Sequence, residues 1–375
     1  MAGQLSATGK AAFTLEAVVA GGLVVEQLVT TLNAAKPWQL ALPASGIVGL
    51  TGPSGGGKST LLAALAGQRS CSGVVEFAGR TWQNGRSGIP AHKRDMSLGF
   101  QDSRLFSGQT VAQNLALAHR YSRRPLDSGA RTQLQADFGI QHLLQSPVEQ
   151  LSGGEAQRVA LLRQLFHNAA LQLFDEPLAA VDQALVIRRL LPTLRAFWER
   201  HPALVLWTSH NFNEIQLLAD RCLWMENAAL TGPLRLQDVA RRLQFGDFGH
   251  TCYSRVEALV VGQQGGMLEL SLGGHKLFAD RVTGDYARGQ SVAFLLESGD
   301  ISLSLEWPGL SSILNCLPVT LVGRQALDDG RVRLQLRSGT QDFQADISCL
   351  SFERLGLHDG GQYFAQFKAG SLAGL

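Results

Sequence analysis

The stretch that most limits how this chain can fold is "GPSGGGKST" at residues 52–60. It fits the pattern G-x-x-x-x-G-K-[ST], it follows the apolar run "GIVGLTG" (46–52), and it opens a segment of helix-forming residues (59–66). Glycines let backbone N–H groups turn inward around phosphate oxygens, and the start of a helix adds partial positive charge. A glycine-rich turn without a ligand would not need this strand and helix on either side. We therefore predict a nucleotide-binding loop formed by Gly52, Pro53, Ser54, Gly55, Gly56, Gly57, Lys58, Ser59 and Thr60.

Two more apolar runs end in polar residues, as buried parallel strands do at their carboxyl ends. The first, "LQLFDEP" (171–177), ends in Asp175 and Glu176, which would approach Mg²⁺ and polarise a water molecule. Adjacent strand residues point to opposite faces, which suits two separate roles. The second run, "ALVLWTSH" (203–210), ends in His210, which is either structural or a sensor of the γ-phosphate. Together these runs predict an α/β fold.

The segment "LSGGEAQR" (151–158) has two readings. Ser152 and Glu155 fit a capping box at the start of a helix over 154–167, because each side chain would bond an unpaired backbone N–H. A cap does not require two glycines, which weaken a helix. From this segment alone, a cap and a close approach of backbone to a ligand both stay open.

Bulk properties exclude several classes of protein. The chain has 375 residues, enough for two or three domains, and its net charge of +2 gives no signal for nucleic acid. The five cysteines lie far apart without a C-x-x-C pair, so we expect no disulfides and no zinc site. This pattern is typical of a protein in a reducing cytosol. The longest uncharged stretch (37–57) is too rich in Gly, Pro and Ser to span a membrane, and Glu16 and Glu26 argue against a signal peptide. If the protein works at a membrane, it needs a partner there.

Beyond about residue 250 the apolar residues recur with a period of two, which predicts half-buried antiparallel strands over 267–272 and 331–338. Asp329–Gly330 fits the turn of a hairpin just before the second of these. The stretches 260–280 and 321–346 resemble each other weakly. Two copies of a small β-barrel would explain this, and so would coincidence among strand-forming residues.

The order of the motifs over about residues 12–245 closely resembles the ATPase subunit of ATP-binding-cassette (ABC) transporters. The resemblance implies a P-loop NTPase domain (1–245) with a helical subdomain (about 103–165), which binds ATP and Mg²⁺. It implies a catalytic role for Glu176, His210 and Gln101, the last in "LGFQDSRLF" (98–106), where a lone glutamine would mean little. It also implies a dimer that sandwiches two ATP molecules. The resemblance assigns Mg²⁺ to Ser59, Gln101 and Asp175, and contacts to the ATP of the opposite subunit to Ser152, Gly153, Gly154, Glu155 and Asp182.

The rest of the chain (246–375) looks like the ATPases of molybdate importers, through "GDISLSLEWPGLSSILNCL" (299–317) and "LGLHDGGQYFAQFKAGSL" (355–372). This resemblance implies an all-β, OB-like domain of the Mop/TOBE type, with an oxyanion-binding barrel over about 310–375. Ser312 and Lys368 are candidate oxyanion ligands, although Leu314 stands where the family usually has an arginine. The implied partners are a second copy of the chain, transmembrane permease subunits and, indirectly, an extracytoplasmic oxyanion-binding protein. The implied location is peripheral, on the cytoplasmic face of the inner membrane.

The sequence departs from the ABC pattern where adenine normally stacks, because the only aromatic residues nearby are Phe13 and Trp38, and neither is well placed. Rival functions are the same ATPase serving an importer of sulfate, iron, sugars or polyamines, or a soluble ATPase of DNA repair or translation. The gap between the loop and "LSGG" is too short for the coiled coil of repair types, and only one ATPase unit is found. A non-catalytic binder is disfavoured by the presence of Glu176.

Overall fold

The structure is a computed structural model, and it describes residues 21–240, 252–280, 286–309, 311–327 and 330–374. Contacts between residues divide the chain into two compact units. The first contains the described residues up to Pro177 together with Trp198–Trp207 and Leu223–Pro233. The second contains Leu178–Phe197, Thr208–Cys222 and the described residues from Leu234 onward.

The strands before residue 235 form a five-stranded sheet in the order β2-β1-β4-β5-β6 and a six-stranded sheet in the order β11-β10-β3-β9-β8-β7. Neighbours in the first sheet run antiparallel, whereas β7 and β8 are parallel. The strands predicted within 46–52, 171–176 and 203–210 are confirmed as β3, β8 and β9. The bounds are β1 (Leu23–Val29), β2 (Trp38–Leu42), β3 (Gly46–Thr51), β4 (Ser72–Phe77), β5 (Arg80–Gly85), β6 (Ser87–Gly88), β7 (Met96–Gly99), β8 (Leu171–Asp175), β9 (Leu204–Thr208), β10 (Arg221–Glu226) and β11 (Ala229–Leu234).

Helices alternate with these strands, and the two predicted over 59–66 and 154–167 are confirmed within a residue of their bounds. A π-helical turn, Val186–Leu190, lies between the helices Gln183–Leu185 and Leu191–Arg200. The bounds are α1 (Lys58–Leu65), α2 (Val111–Arg120), α3 (Ser128–Asp137), α4 (Gly153–His167), α5 (Gln183–Leu185), α6 (Leu191–Arg200), α7 (Phe212–Leu218) and α8 (Leu236–Ala240). No helix in the described part of the chain is long and apolar enough to cross a membrane.

One apolar core of the first unit lies around β3, β8 and α1, and its members include Leu50, Leu62, Leu173 and Leu206, all almost completely buried. Strands β8 and β9 are buried at almost every position, which explains why their sequences are continuous apolar runs rather than alternating ones. This core fixes the ends of β3 and β8, where the loop at 52–57 and the two carboxylates follow.

The C-terminal strands alternate buried and less buried residues, as Met267–Leu272 does throughout its length, because one face of each sheet covers a core. Both predicted strands are confirmed, and Gly330 lies in the turn region with a positive φ of 76°, whereas Asp329 is outside the described residues. The bounds are β12 (Tyr253–Gln264), β13 (Met267–Leu272), β14 (His275–Ala279), β15 (Ser291–Glu297), β16 (Ser302–Ser304), β17 (Asn315–Ala326), β18 (Arg331–Ser338), β19 (Gln341–Ser348), β20 (Gln362–Phe367), β21 (Leu372–Gly374) and one helix, α9 (Cys349–Arg354).

These strands form two five-stranded sheets that repeat one another, in the orders β14-β13-β12-β15-β21 and β16-β20-β17-β18-β19. The sequence repeat is therefore structural. Each copy sends its last short strand to the sheet of the other, because β16 pairs with β20 and β21 pairs with β15. The sheets share one core, and α9 is an exception to the expected all-β content.

Candidate functional site

The loop between β3 and α1 requires glycine at several positions. Gly52 and Gly57 have φ of 135° and 109°, a region that side chains avoid. A Cβ on Gly52 would collide with the carbonyl oxygen of Met225, and one on Gly56 would lie 2.9 Å from that oxygen. The loop is therefore folded tightly against β10, with a backbone path that only glycine permits.

Lys58 begins α1, and its side chain turns back into the loop. Its Nζ atom donates hydrogen bonds to the carbonyl oxygens of Gly52 and Pro53, at 2.8 and 3.1 Å. The residue is only 5% exposed, and burial lowers the pKa of its ammonium, while the carboxylates of Glu176 and Asp175 act in the opposite direction. The structure thus brings the loop lysine and both predicted carboxylates into one electrostatic neighbourhood.

Asp175 is the last residue of β8, and Glu176 lies just beyond the strand with a left-handed φ of 49°. The strand does not include Glu176, because the chain turns there. Alternation along a strand is therefore not what separates the side chains of Asp175 and Glu176. A non-glycine residue in this conformation costs about 1–3 kcal/mol and persists where the surroundings impose it. Such strain is concentrated at functional sites, which supports a special role for this carboxylate.

Gln101 follows β7 and is exposed. Its carbonyl oxygen accepts a hydrogen bond from the Nε2 atom of Gln157, at 3.3 Å. Gln157 lies in α4, so the backbone of the predicted Mg²⁺ ligand is tied to the helix that begins with "SGGE".

The start of α4 contains the capping box that the sequence predicted. Ser152 Oγ accepts from Glu155 N at 3.4 Å, and a Glu155 carboxylate oxygen accepts from Ser152 N at 2.9 Å and Ser152 Oγ at 2.7 Å. The bond from Ser152 Oγ lowers the pKa of Glu155. Gly153 and Gly154 are helical, so they are not needed for an unusual φ. Ser152 and Gly153 are exposed, and without side chains the two glycines leave the helix start open to a ligand.

Asp182 and His210 belong to the second compact unit. Asp182 is an exposed N-cap of α5, and its Oδ1 atom accepts from Leu185 N at 3.0 Å. His210 is exposed directly after β9, between Ser209 and Asn211, and the Ser209 hydroxyl accepts from Asn211 N at 3.0 Å.

The sequence missed an apolar residue beside the loop. Leu32 is 44% exposed, and its Cδ2 atom would lie 2.8 Å from a Cβ on Gly57. The turn that presents it is held by Asn33, whose Oδ1 atom accepts from Thr30 N at 2.7 Å and from the Thr30 hydroxyl at 2.8 Å. Trp38 is in the core, with its indole N–H bonded to the Ala228 carbonyl, and Phe13 lies outside the described residues. Leu32 is not aromatic, so the search of the sequence for a stacking residue did not find it. Its position beside the loop is visible only in the fold.

The candidate oxyanion residues lie at the surface of the C-terminal region. Ser312, Leu314 and Lys368 are exposed. Asn315 is fully buried, and its side chain bonds the backbone N–H and carbonyl of Phe278, at 2.7 and 2.9 Å. Its amide is therefore committed to joining β17 to β14.

Within the described ranges, no cluster of three or more His, Cys, Asp or Glu side chains could hold a metal ion. Mg²⁺ bound to a nucleotide commonly takes only one or two carboxylates and completes its shell with phosphate oxygens and water. An exposed Ser59 in the first turn of α1, and Asp175 near Lys58, are donors of the required oxygen type.

Known proteins resemble this chain in sequence and in fold. The ABC transporter family model matches residues 35–179. Two solved structures share the fold at a TM-score of 0.50. One is a bacterial Atm1-family ABC exporter with ATP bound (23% identity, 61% of this chain and 41% of that one). The other is CbiO1 from Clostridium perfringens, part of an ABC transporter complex (22% identity, 60% and 92%).

Relatives with higher identity span nearly the whole chain. Molybdenum import ATP-binding protein ModC of Thiobacillus denitrificans is 35% identical over 89% of this chain and 93% of its own length. The ModC proteins of Pseudomonas aeruginosa and Rhodobacter capsulatus are 35% and 32% identical, over 88% of this chain and 93% of their own lengths. The resemblance noted in the sequence is thereby confirmed, and the chain belongs to the molybdenum import ATP-binding proteins, a family of ABC transporter ATPases.

Proposed function

We propose that this chain is the ATP-hydrolysing subunit of an importer for molybdate or a related oxyanion. The observation that carries the proposal is the neighbourhood of Lys58, Asp175 and Glu176 at the ends of β3 and β8. The molybdenum import proteins to which the chain is similar over nearly its full length supply the substrate class.

In this proposal Lys58 leaves the carbonyls of Gly52 and Pro53 to pair with the β- and γ-phosphates of ATP, while the N–H groups of the loop surround the phosphate oxygens. Glu176 orients the attacking water, and His210 supports the γ-phosphate. Mg²⁺, held by Ser59, Gln101 and Asp175, would neutralise charge on the phosphates. Catalysis then rests on positioning and electrostatic stabilisation.

A second copy of the chain completes each site. The exposed start of α4 supplies the backbone N–H groups of Gly153 and Gly154 and the hydroxyl of Ser152 to ATP bound on the other subunit. Glu155 keeps that start ordered through the capping box, and Asp182 contacts the same nucleotide. The active form is thus a head-to-tail homodimer with two composite sites.

Leu32 is the adenine contact in this proposal. It is an exposed apolar side chain beside Gly57, and its turn is rigidly held by Asn33. An aliphatic side chain covers one face of the base without the stacking that an aromatic ring provides, so we expect weaker affinity and less base preference.

The C-terminal region is proposed to be an OB-like pair of barrels of the Mop/TOBE type, supported by the repeated five-stranded sheets. Ser312 and Lys368 would be its oxyanion ligands. The chain would act at the cytoplasmic face of the inner membrane, bound to permease subunits that receive substrate from an extracytoplasmic binding protein.

Replacement of the proposed water-orienting carboxylate tests the enzymatic role. Glu176→Gln should bind ATP with normal affinity, hydrolyse it at least about 10²-fold more slowly, and accumulate as an ATP-bound dimer in size-exclusion chromatography. Glu306→Gln, at an exposed position of the C-terminal region, is the control and should retain wild-type turnover. Wild-type turnover in Glu176→Gln would falsify the assigned role.

Transport distinguishes the substrate. The chain should restore uptake of labelled molybdate to cells that lack only their molybdate-importer ATPase, and Glu176→Gln should not. Restoration of sulfate uptake in a matching sulfate-importer strain, without restoration of molybdate uptake, would assign the same ATPase to another importer.

A further inference from the structure

Two helices that follow proposed ATP-site residues converge on one tyrosine of the C-terminal region. Helix α7 begins two residues after His210, and the π-helical turn that carries Arg188 follows the short helix capped by Asp182. Both helices, and Tyr253 at the start of β12, belong to the second compact unit.

The contact with α7 uses the backbone of Tyr253. Asn213 Oδ1 accepts from Tyr253 N at 3.1 Å, and Gln216 Nε2 donates to Tyr253 O at 3.3 Å. Asn213 is completely buried, and every residue of α7 is buried, so this helix has little freedom to shift independently of β12. Arg255, two residues along β12, donates to the carbonyl oxygens at the end of α7.

The contact is continuous with the residues around His210. Asn211 is the N-cap of α7, and its Oδ1 atom accepts from Asn213 N at 3.0 Å. The N–H of Asn211 in turn donates to the hydroxyl of Ser209 at 3.0 Å. His210 thus lies between two residues that are bonded to each other, and the second of them caps the helix fixed to Tyr253.

The contact with the π-helical turn uses the side chain of Tyr253. Its hydroxyl donates to Glu297 Oε2 at 3.1 Å and accepts from the guanidinium of Arg188. Burial, with the carboxylate of Glu297, raises the pKa of Tyr253 to about 12, so the hydroxyl stays protonated and can donate at physiological pH. π-Helical turns are rare and frequently mark functional sites.

We propose that Tyr253 is a positioning residue for ATP hydrolysis, through which the first strand of the C-terminal region sets the helices that follow His210 and Asp182. The proposal rests on the roles given to His210 and Asp182 under the proposed function. Tyr253 and Glu297 are paired residues of β12 and β15, so a displacement of these two strands together would reach both ATP-site segments at once. The C-terminal region is then part of the hydrolytic machinery.

Removal of a single hydroxyl tests this in the full-length protein. Tyr253→Phe should lower kcat for ATP roughly 3- to 10-fold, the effect of losing one hydrogen bond that maintains the geometry. KM for ATP and the affinity for a non-hydrolysable analogue should change less than kcat, because the loop at 52–60 is untouched. Tyr363→Phe is the matched control. It also loses a hydroxyl bond in the C-terminal region, to His358 N at 3.0 Å, and should leave kcat unchanged.

A double-mutant cycle separates positioning from a general loss of stability. Arg188→Met should lower kcat by a factor similar to that of Tyr253→Phe, and the double variant should be no slower than the slower single variant, because both remove the same contact. On its own, Asn213→Leu removes the acceptor for Tyr253 N. This variant should also lower kcat relative to the wild type, although it keeps the Tyr253 hydroxyl.

The outcomes that would overturn the proposal are distinct from those that would overturn ATP hydrolysis itself. Equal kcat in wild type, Tyr253→Phe and Tyr363→Phe would show that the tyrosine does not position the site. Multiplicative effects of Arg188→Met and Tyr253→Phe would overturn the part of the proposal that runs through the π-helical turn, because the two side chains would then act independently. A wild-type protein that hydrolyses ATP no faster than Glu176→Gln would instead remove the proposed function.

Discussion

The Nζ atom of Lys58 lies 2.8 Å from the carbonyl oxygen of Gly52. The lysine at the start of α1 thus closes the loop that precedes its helix. The Nζ atom also donates a hydrogen bond to Pro53 O, at 3.1 Å. The ammonium therefore donates to two backbone carbonyls in a buried position, and burial lowers its pKa below the ordinary value of 10.5. Phosphate would replace neutral oxygens with charged ones at this point, which favours the protonated form.

This lowered pKa predicts that ATP affinity falls at alkaline pH. In the pH window above the depressed pKa of Lys58 the ATP-free protein loses the proton, whereas bound phosphate favours its retention, so binding must take up a proton. The dissociation constant of a non-hydrolysable analogue should rise by up to about tenfold per pH unit in this window. Fluorescence titration from neutral pH to about pH 10 measures it, and a constant Kd would contradict the prediction.

Two capping boxes allow the role of Ser152 to be separated from capping. Thr110 and Gln113 form the equivalent box at the start of α2, with Gln113 N bonded to Thr110 Oγ1 at 3.3 Å. Ser152→Ala and Thr110→Ala should each lower the free energy of unfolding by about 0.5–2 kcal/mol, as loss of an N-cap does. Only Ser152→Ala should also slow ATP hydrolysis markedly. Equal ATPase activities of the two variants, measured by phosphate release, would mean that Ser152 is a cap and nothing more.

Local patterns predicted β3, the loop and α1, because a strand, a glycine loop and a helix follow each other directly in the sequence. They predicted β8 because a strand buried on both faces is a continuous apolar run. The conformation of Glu176 could not be predicted in this way. A strand pattern contains no signal for a left-handed residue at its end, which depends on packing imposed by the rest of the unit. The position of Leu32 likewise depends on the turn built by Asn33 and on a loop 20 or more residues away.

In the C-terminal region, alternation predicted strands and the repeat predicted two similar units, but neither could predict which sheet each strand joins. The exchange of β16 and β21 is a matter of tertiary pairing between segments about 60 to 80 residues apart, Ser302–Ser304 with Phe364–Gln366 and Phe294–Leu296 with Leu372–Gly374. Local sequence contains no information on such pairing beyond strand propensity.

Substitution of Leu32 should change nucleotide affinity. Leu32→Trp would place an aromatic ring beside Gly57 and should tighten ATP binding, since stacking on a base contributes about 1–3 kcal/mol. Leu32→Ser should weaken it. Leu350→Ser is the matched control, because Leu350 is 70% exposed in the C-terminal region and should not affect ATP binding. Unchanged Kd values for both Leu32 variants, by calorimetry, would remove Leu32 from the adenine site.

Two ion pairs on the same strands, β18 and β19, differ strongly in burial. Arg333 and Asp346 are bidentate at 2.7 and 2.8 Å with side chains 0% and 1% exposed, whereas Arg337 and Asp342 pair at the surface. Arg333→Met should therefore cost about 3–5 kcal/mol, because it leaves a buried carboxylate unpaired, although the Ser298 hydroxyl still donates to it.

Arg337→Met, the control, should cost about 0–1 kcal/mol. The double variant Arg333→Met/Asp346→Leu should recover most of the loss, since no buried charge remains. Urea unfolding followed by circular dichroism measures all three free energies. Similar costs for Arg333→Met and Arg337→Met would show that the buried pair is not the stabilising contact.

The substitution Leu314→Arg tests whether the C-terminal region has lost affinity for an oxyanion. Leu314 is 43% exposed, so an arginine is accommodated there, and it stands beside the exposed Ser312. A charge-assisted hydrogen bond contributes about 1.5–3 kcal/mol, so the variant should bind molybdate about 10- to 150-fold more tightly than the weak binding expected of the wild type. Leu259→Arg, at a 51% exposed position of β12, adds the same charge elsewhere and should gain no affinity for molybdate.

Calorimetric titration of the full-length proteins with molybdate, and with sulfate in a parallel series, measures these affinities. Micromolar binding by the wild type would show that Leu314 does not disable the site. Equal gains in the two arginine variants would show that charge alone attracts the anion. A gain confined to Leu314→Arg would instead locate an oxyanion site at the start of β17, where Asn315 is already committed to Phe278 and the affinity must come from donors around Leu314.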